Sequence, residues 1–132
     1  EERMNNMSTK NIINTVNAPE AIGPYVQAIE VNNYIYTSGQ LGIDVSTSKL
    51  ADGIEGQTHC SLKNLIAILN EKNLTIENVI KTTVFVKDLD DFGIVNEIYK
   101  KYFVENFPAR SCVQVAKLPM DGLIEIEAIA TK

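Results

Sequence analysis

Residues 123–130 alternate so strictly that an extended strand is the one regular structure that sorts them. Ile124, Ile126, Ala128 and Ala130 fall on one side, and Leu123, Glu125, Glu127 and Ile129 on the other. Successive strand side chains point to opposite faces, so the first set makes an apolar face fit to lie beneath helices. Two such helices are encoded upstream. Leu62, Leu65, Ile66 and Leu69 recur at i, i+3, i+4 and i+7 and predict a helix over about 54–73. Phe92, Val95, Tyr99, Tyr102 and Phe103 form a second helical stripe, ended before Pro108. Further strands are expected over 11–16, 27–31, 34–38, 79–86 and 110–116, with a polar loop from Gly42 to Gly53. Asn32-Asn33 joins the second and third strands, because asparagine tolerates the positive φ of a tight hairpin. The order βββαβαββ describes an α+β fold, a mixed six-stranded sheet with two helices packed on one face. Residues 11–132 are expected to form a single domain, preceded by a disordered or extended segment over 1–10.

That architecture leaves one sheet face uncovered. Its members in the last strand are Leu123, Glu125, Glu127 and Ile129, facing with Arg110, Cys112 and Gln114 of the preceding strand. The middle strand adds Val79, Lys81, Thr83 and Phe85, or the reverse set. Such a face is too apolar for bulk water and too polar for a dry core, so a second subunit is expected to cover it. The opposite side of the Arg110 strand carries Val113 and Val115, which suit a core.

Few residues here carry chemistry. Arg110 and Cys112 stand two apart and share a strand face. An arginine on so apolar a strand needs an anion, either a neighbouring carboxylate in an ion pair or a bound ligand. Glu125 has the same two readings: an ion pair with Arg110 or Lys81, or a carboxylate serving as acid and base toward a bound water. Cys112 reads as a small buried hydrophobe or as a thiol made nucleophilic by Arg110. The single histidine, His59, adjoins Cys60 about 100° around a helix, so the two make no nucleophile–base pair. It reads as an ordinary helix-flank residue.

Composition excludes several classes. With 45% hydrophobic and 22% charged residues the chain is globular, and a net charge of −5 argues against non-specific attraction to nucleic acid. No apolar run reaches membrane-spanning length, and no glycine-rich phosphate loop, dinucleotide fingerprint, paired CxxC or HExxH is present. Two cysteines without a framework of spacings fit a reducing cytoplasm.

Five segments recur in a recognisable order: Ala18-Pro19 with Ile22-Gly23-Pro24-Tyr25; Tyr36-Thr37-Ser38-Gly39-Gln40; Lys81 to Asp88; Phe107-Pro108-Ala109-Arg110-Ser111-Cys112-Val113; and Ile124-Glu125-Ile126-Glu127-Ala128. Together they resemble the RidA/YjgF family of reactive-intermediate deaminases over about residues 11–131. The resemblance implies a chorismate-mutase-like sandwich assembled as a homotrimer with sites between subunits. It implies hydrolysis of 2-iminopropanoate and 2-iminobutanoate to 2-oxo acids and ammonia, which protects pyridoxal-phosphate enzymes. Arg110 then binds the substrate carboxylate and Glu125 positions or activates water, both catalytic. Ser38, Gly39 and Cys112 line the site, and Tyr25 and Asn96 shape it. A protonated imine is already electrophilic, so no metal or cofactor is called for. A 2-oxo acid receptor without turnover, or a ribonuclease or translation inhibitor, are the alternative functions.

Overall fold

A computed structural model of the chain describes residues 9–132. The expected segment over 1–10 lies outside these residues except for Thr9 and Lys10. Strands β1 (Asn11–Ile13), β2 (Ala28–Val31) and β3 (Tyr34–Thr37) are followed by three short pieces, β4 (Gln40–Leu41), β5 (Ile43–Asp44) and β6 (Lys49–Leu50). Then come α1 (Gly53–Asn70), β7 (Val79–Val86), α2 (Phe92–Tyr102), β8 (Ala109–Gln114) and β9 (Ile124–Thr131). The main sheet runs β1-β2-β3-β9-β7-β8, with β4 pairing β9 beyond the end of β3. Every pairing is antiparallel except β7 with β8.

The fold is α+β, as expected, but the sheet has seven strands rather than six. The extra strand arises where β3 breaks at Ser38-Gly39 and the chain resumes pairing with β9 as β4. The expected polar loop also contains the β5–β6 hairpin, whose pieces are too short to leave a hydropathy period. Asn32 and Asn33 do take positive φ, 51° and 69°, and close the β2–β3 hairpin.

One face of the sheet carries the core. Ile124, Ile126, Ala128 and Ala130 of β9 and Val84 and Val86 of β7 are buried against Leu62, Leu65, Ile68 and Leu69 of α1 and Val95, Ile98 and Tyr99 of α2. Helix α1 also buries a polar stripe, which fastens it to β4 and β5. Ser61 Oγ donates to the Gln40 carbonyl at 2.7 Å, and Asn64 Nδ2 to those of Ile43 and Leu41 at 3.0 and 3.3 Å. Gln57 Nε2 donates to the Ala51 carbonyl, and its Oε1 accepts from the Leu123 amide. These side chains bond backbone groups of β4, β5 and the loops beside them, each bond worth about 1 kcal/mol net. Gly42 makes the approach possible, because a Cβ there would lie 2.4 Å from the Gln57 Cα.

The opposite face is half-exposed, and on β9 it carries Glu125, Glu127 and Ile129 as expected. On β7 it carries Lys81, Thr83 and Phe85, but not Val79, which an irregularity between Val79 and Lys81 turns into the core. The assignment of β8 is corrected. Arg110 pairs with Thr82 and Cys112 with Val84, and both partners are fully buried on the helix side. Paired residues of neighbouring strands share a face. Arg110 and Cys112 therefore point toward α2, while Val113, paired with Phe85, is 43% exposed on the open face.

Candidate active site

Five of the expected site residues divide between two clefts on opposite faces of the sheet, Asn96 and Arg110 in one and Tyr25, Gly39 and Glu125 in the other, while Ser38 and Cys112 line neither. The first, about 460 Å³, lies between α2 and the start of β8 and is walled by Gly93, Asn96, Tyr99, Phe107, Pro108 and Arg110. Arg110 enters it over the aromatic stripe of α2. Its Nη1 donates to Asn96 Oδ1 at 2.8 Å, and its guanidinium carbon sits 4.8 Å from the Tyr99 ring centroid and 5.4 Å from that of Phe92. Both distances are within cation–π range. Among the described residues no carboxylate comes within ion-pair distance of Arg110. Lys81 instead donates to Ser111 Oγ at 3.1 Å. The ion pairs considered for Glu125, with Arg110 or with Lys81, are not formed.

Cys112 follows Arg110 on the same face and packs on the core cluster. Burial raises its thiol pKa, and the nearby Arg110 charge offsets this only in part. A thiol so placed stays protonated at neutral pH.

The second cleft, about 110 Å³, is walled by Pro19, Tyr25, Gly39, Gln40, Pro119 and Glu125. Glu125 is half-buried, and burial raises its pKa, with the Glu127 carboxylate on the same strand face adding to the shift. Gly39 lies directly against it: a Cβ on Gly39 would fall 2.8 Å from the Glu125 carboxyl carbon and 2.9 Å from Oε2. Ser38 is fixed by its neighbours, its Oγ donating to the Val26 carbonyl at 2.6 Å and its amide to that of Gln27 at 2.8 Å. Tyr25, 52% exposed, stands at the rim of this cleft after a tight turn in which its amide bonds the Gly23 carbonyl. Gly23 has φ 129°, which a side chain would strain.

Sequence reasoning missed two supports of these clefts. Gln27 is buried and clamps the loop leading to Tyr25: its Oε1 accepts from the Thr15 amide, and its Nε2 donates to the Thr15 and Pro19 carbonyls. Only its position at the head of an apolar strand marked it. Phe92 and Tyr99 were legible as a helical stripe, but periodicity assigns both to core and is silent on the cation above them. A further hollow, about 780 Å³, is an apolar groove between β1, its following loop and the β5–β6 hairpin; it holds neither Arg110 nor Glu125. His59 lies outside both clefts, its Nδ1 2.7 Å from the Tyr102 hydroxyl.

The endoribonuclease L-PSP family profile matches residues 15–132. The chain is a member of that family, also called RidA/YjgF. This L-PSP protein is 52% identical over 125 residues to a RutC family protein of Pasteurella multocida, covering 92% of this chain and 97% of the relative. It is 50% identical over 123 residues to the 2-iminobutanoate/2-iminopropanoate deaminase of Salmonella typhimurium, covering 91% of this chain and 96% of the relative. Its fold superposes on E. coli TdcF with bound serine at a TM-score of 0.90 and 44% identity, covering 93% of this chain and 99% of that one. No helix among the described residues is long and apolar enough to cross a membrane.

Proposed function

We propose that this protein hydrolyses 2-iminopropanoate and 2-iminobutanoate to 2-oxo acids and ammonia, in clefts where the Arg110 half-site of one copy meets the Glu125 half-site of the next. The observation that carries the reading is the guanidinium of Arg110, oriented by an amide and two rings and paired with no carboxylate among the described residues. A planar fork so prepared matches a substrate carboxylate in bidentate fashion. Glu125 supplies the complement, a carboxylate whose pKa is raised by burial and then by Glu127, which makes it a stronger proton acceptor than an ordinary glutamate.

The reaction asks little more. A water oxygen bonds to C2 of the protonated imine as its proton passes to Glu125. The same proton then moves to the amine of the resulting carbinolamine, Glu125 takes the hydroxyl proton as the C–N bond breaks to form the 2-oxo acid, and the departing ammonia carries that proton away as ammonium. Cys112 packs behind Arg110 and takes no covalent part. Gly39 lines the Glu125 side, next to Ser38, and Tyr25 and Asn96 shape the two walls. The 50%-identical relative named 2-iminobutanoate/2-iminopropanoate deaminase supports the choice of substrate.

The assembly is a homotrimer, with the half-exposed sheet face buried between copies. Exposed apolar residues beside each half-site support this, Tyr25 near Glu125, and Phe92 and Phe107 near Arg110. Free thiols at Cys60 and Cys112 fit a cytoplasmic location.

Complementation tests the reading. Arg110→Ala and Glu125→Gln are each expected to fold as trimers, by light scattering, and to release almost no ammonia from enzymatically generated 2-iminobutanoate. Co-refolded in equal amounts, they should recover about a quarter of wild-type sites, those pairing an intact Arg110 with a neighbour's intact Glu125. No recovery in verified mixed trimers would refute the shared site, and full turnover by folded Arg110→Ala would refute the deaminase reading.

A further inference from the structure

A carboxylate anchor is only as useful as its orientation, and the ring beneath Arg110 is held on several sides. Tyr99 is 5% exposed, on the inner face of α2, with its ring 4.8 Å beneath the Arg110 guanidinium. Its hydroxyl is 2.8 Å from Thr82 Oγ1, a fully buried contact, and its other side meets the Phe103 ring at a centroid distance of 4.4 Å. Thr82 is the β7 residue paired with Arg110 itself. The hydroxyl tether, the ring and the arginine thus form a closed circuit: β7 fixes Tyr99, Tyr99 supports the guanidinium from α2, and β8 returns the arginine backbone to β7. Asn96, one turn earlier on α2, takes one N–H from the edge of the fork. An aromatic face attracts the guanidinium plane without consuming any of its N–H donors, unlike a carboxylate, which would fill the positions a ligand needs.

We propose that Tyr99 is a positioning residue for anion capture, its buried ring holding the Arg110 fork open toward the cleft. The proposal rests on Arg110 being the substrate-carboxylate anchor, but its decisive readout does not. Phe92 makes a longer contact at the cleft lip and is 39% exposed, so it cannot substitute for the buried ring. Removing the Tyr99 ring returns rotamer freedom to Arg110, a cost ordinarily realised on binding.

The test compares Tyr99→Leu with Tyr99→Phe in the intact protein. The Arg110 Nε–Hε resonance should carry a ring-current shift in wild type and Tyr99→Phe, and lose it in Tyr99→Leu. KM for 2-iminobutanoate should rise about three- to tenfold in Tyr99→Leu, with kcat changed less than about twofold, and stay near wild type in Tyr99→Phe. An unmoved Arg110 resonance in folded Tyr99→Leu overturns the proposal. So do equal KM losses in both variants that merely track their melting temperatures. Should Tyr99→Leu fail to fold, Tyr99→Met fills the space without a ring, and an unchanged Arg110 shift there also overturns it. Intact turnover in Arg110→Ala would instead sink the anchor reading, while the resonance still reports on Tyr99.

Discussion

Gly39 offers a way to displace the Glu125 carboxylate without touching it. The φ angle of Gly39 is not in the left-handed region, so alanine meets no backbone penalty there and acts through its methyl group alone. That methyl would stand 2.8 Å from the Glu125 carboxyl carbon and 2.9 Å from Cγ. Unstrained carbon contacts lie near 3.5–4.0 Å, so the carboxylate must retreat by about 0.7–1.2 Å. It can do so, because the atoms met are the far end of a flexible side chain, and the stability cost should be about 1 kcal/mol, the low end for overpacking. The kinetic cost should be larger: misplacing a reacting group by about 1 Å is worth on the order of 10²-fold in rate. Gly39→Ala should therefore melt close to wild type and assemble normally, yet release ammonia from 2-iminobutanoate about a hundredfold more slowly. A double-mutant cycle locates the cause. On a Glu125→Gln background the alanine should cost little further, since the group it displaces is already disabled. Wild-type turnover in folded Gly39→Ala, or fully additive losses in the cycle, would refute the steric argument.

Cys112→Ser should keep turnover within about threefold of wild type, because a thiol whose pKa is raised by burial supplies no thiolate at neutral pH; kinetics and the absence of a substrate adduct by mass spectrometry check this. The acid limb of kcat/KM should lie above the ordinary glutamate range, since burial and then Glu127 raise the Glu125 pKa, and it should vanish in Glu125→Gln. The sign for stability follows from the same shift. A native carboxyl with a raised pKa holds its proton more tightly than the unfolded chain does, so stability falls as pH rises through the native pKa. Glu125→Gln should accordingly melt higher than wild type at neutral pH, and the difference should shrink on acidification below the unfolded value, read from melting curves across pH.

The long elements were legible because their periods are unambiguous. Of the α1 stripe Leu62, Leu65, Ile66 and Leu69, the three leucines lie in the core, while Ile66 is only partly buried and Ile68 takes the core position instead; the alternation of β9 predicts the buried residues found there. The short elements were not. Strands β4, β5 and β6 have two residues each, too few for a period, and α1 holds β4 and β5 through Ser61 and Asn64 rather than through apolar contacts. Polar residues on a helix ordinarily signal a solvated face, so the buried stripe of Gln57, Thr58, Ser61 and Asn64 carries a message that hydropathy inverts. Gly39 and Gly42 were visible as interruptions, but what each makes room for, a carboxylate and a helix backbone, depends on contacts between distant segments.

The facing of β8 shows the same limit with functional consequences. In Arg110-Ser111-Cys112-Val113-Gln114-Val115 the valines oppose the arginine, so the hydropathy rule assigns the valines to the core. What decides the matter is parallel registry with β7, where Thr82 and Val84 are already committed to the helix side and carry Arg110 and Cys112 with them. The arginine is tolerated there because its stem lies along the protein while its head reaches the rings and amide of α2 at the sheet edge. A strand moved by one residue exchanges its faces completely. With β8 in the other parity, Arg110 and Glu125 would face the same side of one chain, and a single copy could form the site. In the observed register they are on opposite faces, so a chemistry that needs both requires a second copy. Recovery of activity on mixing Arg110→Ala with Glu125→Gln therefore tests the register of one edge strand as directly as it tests the assembly.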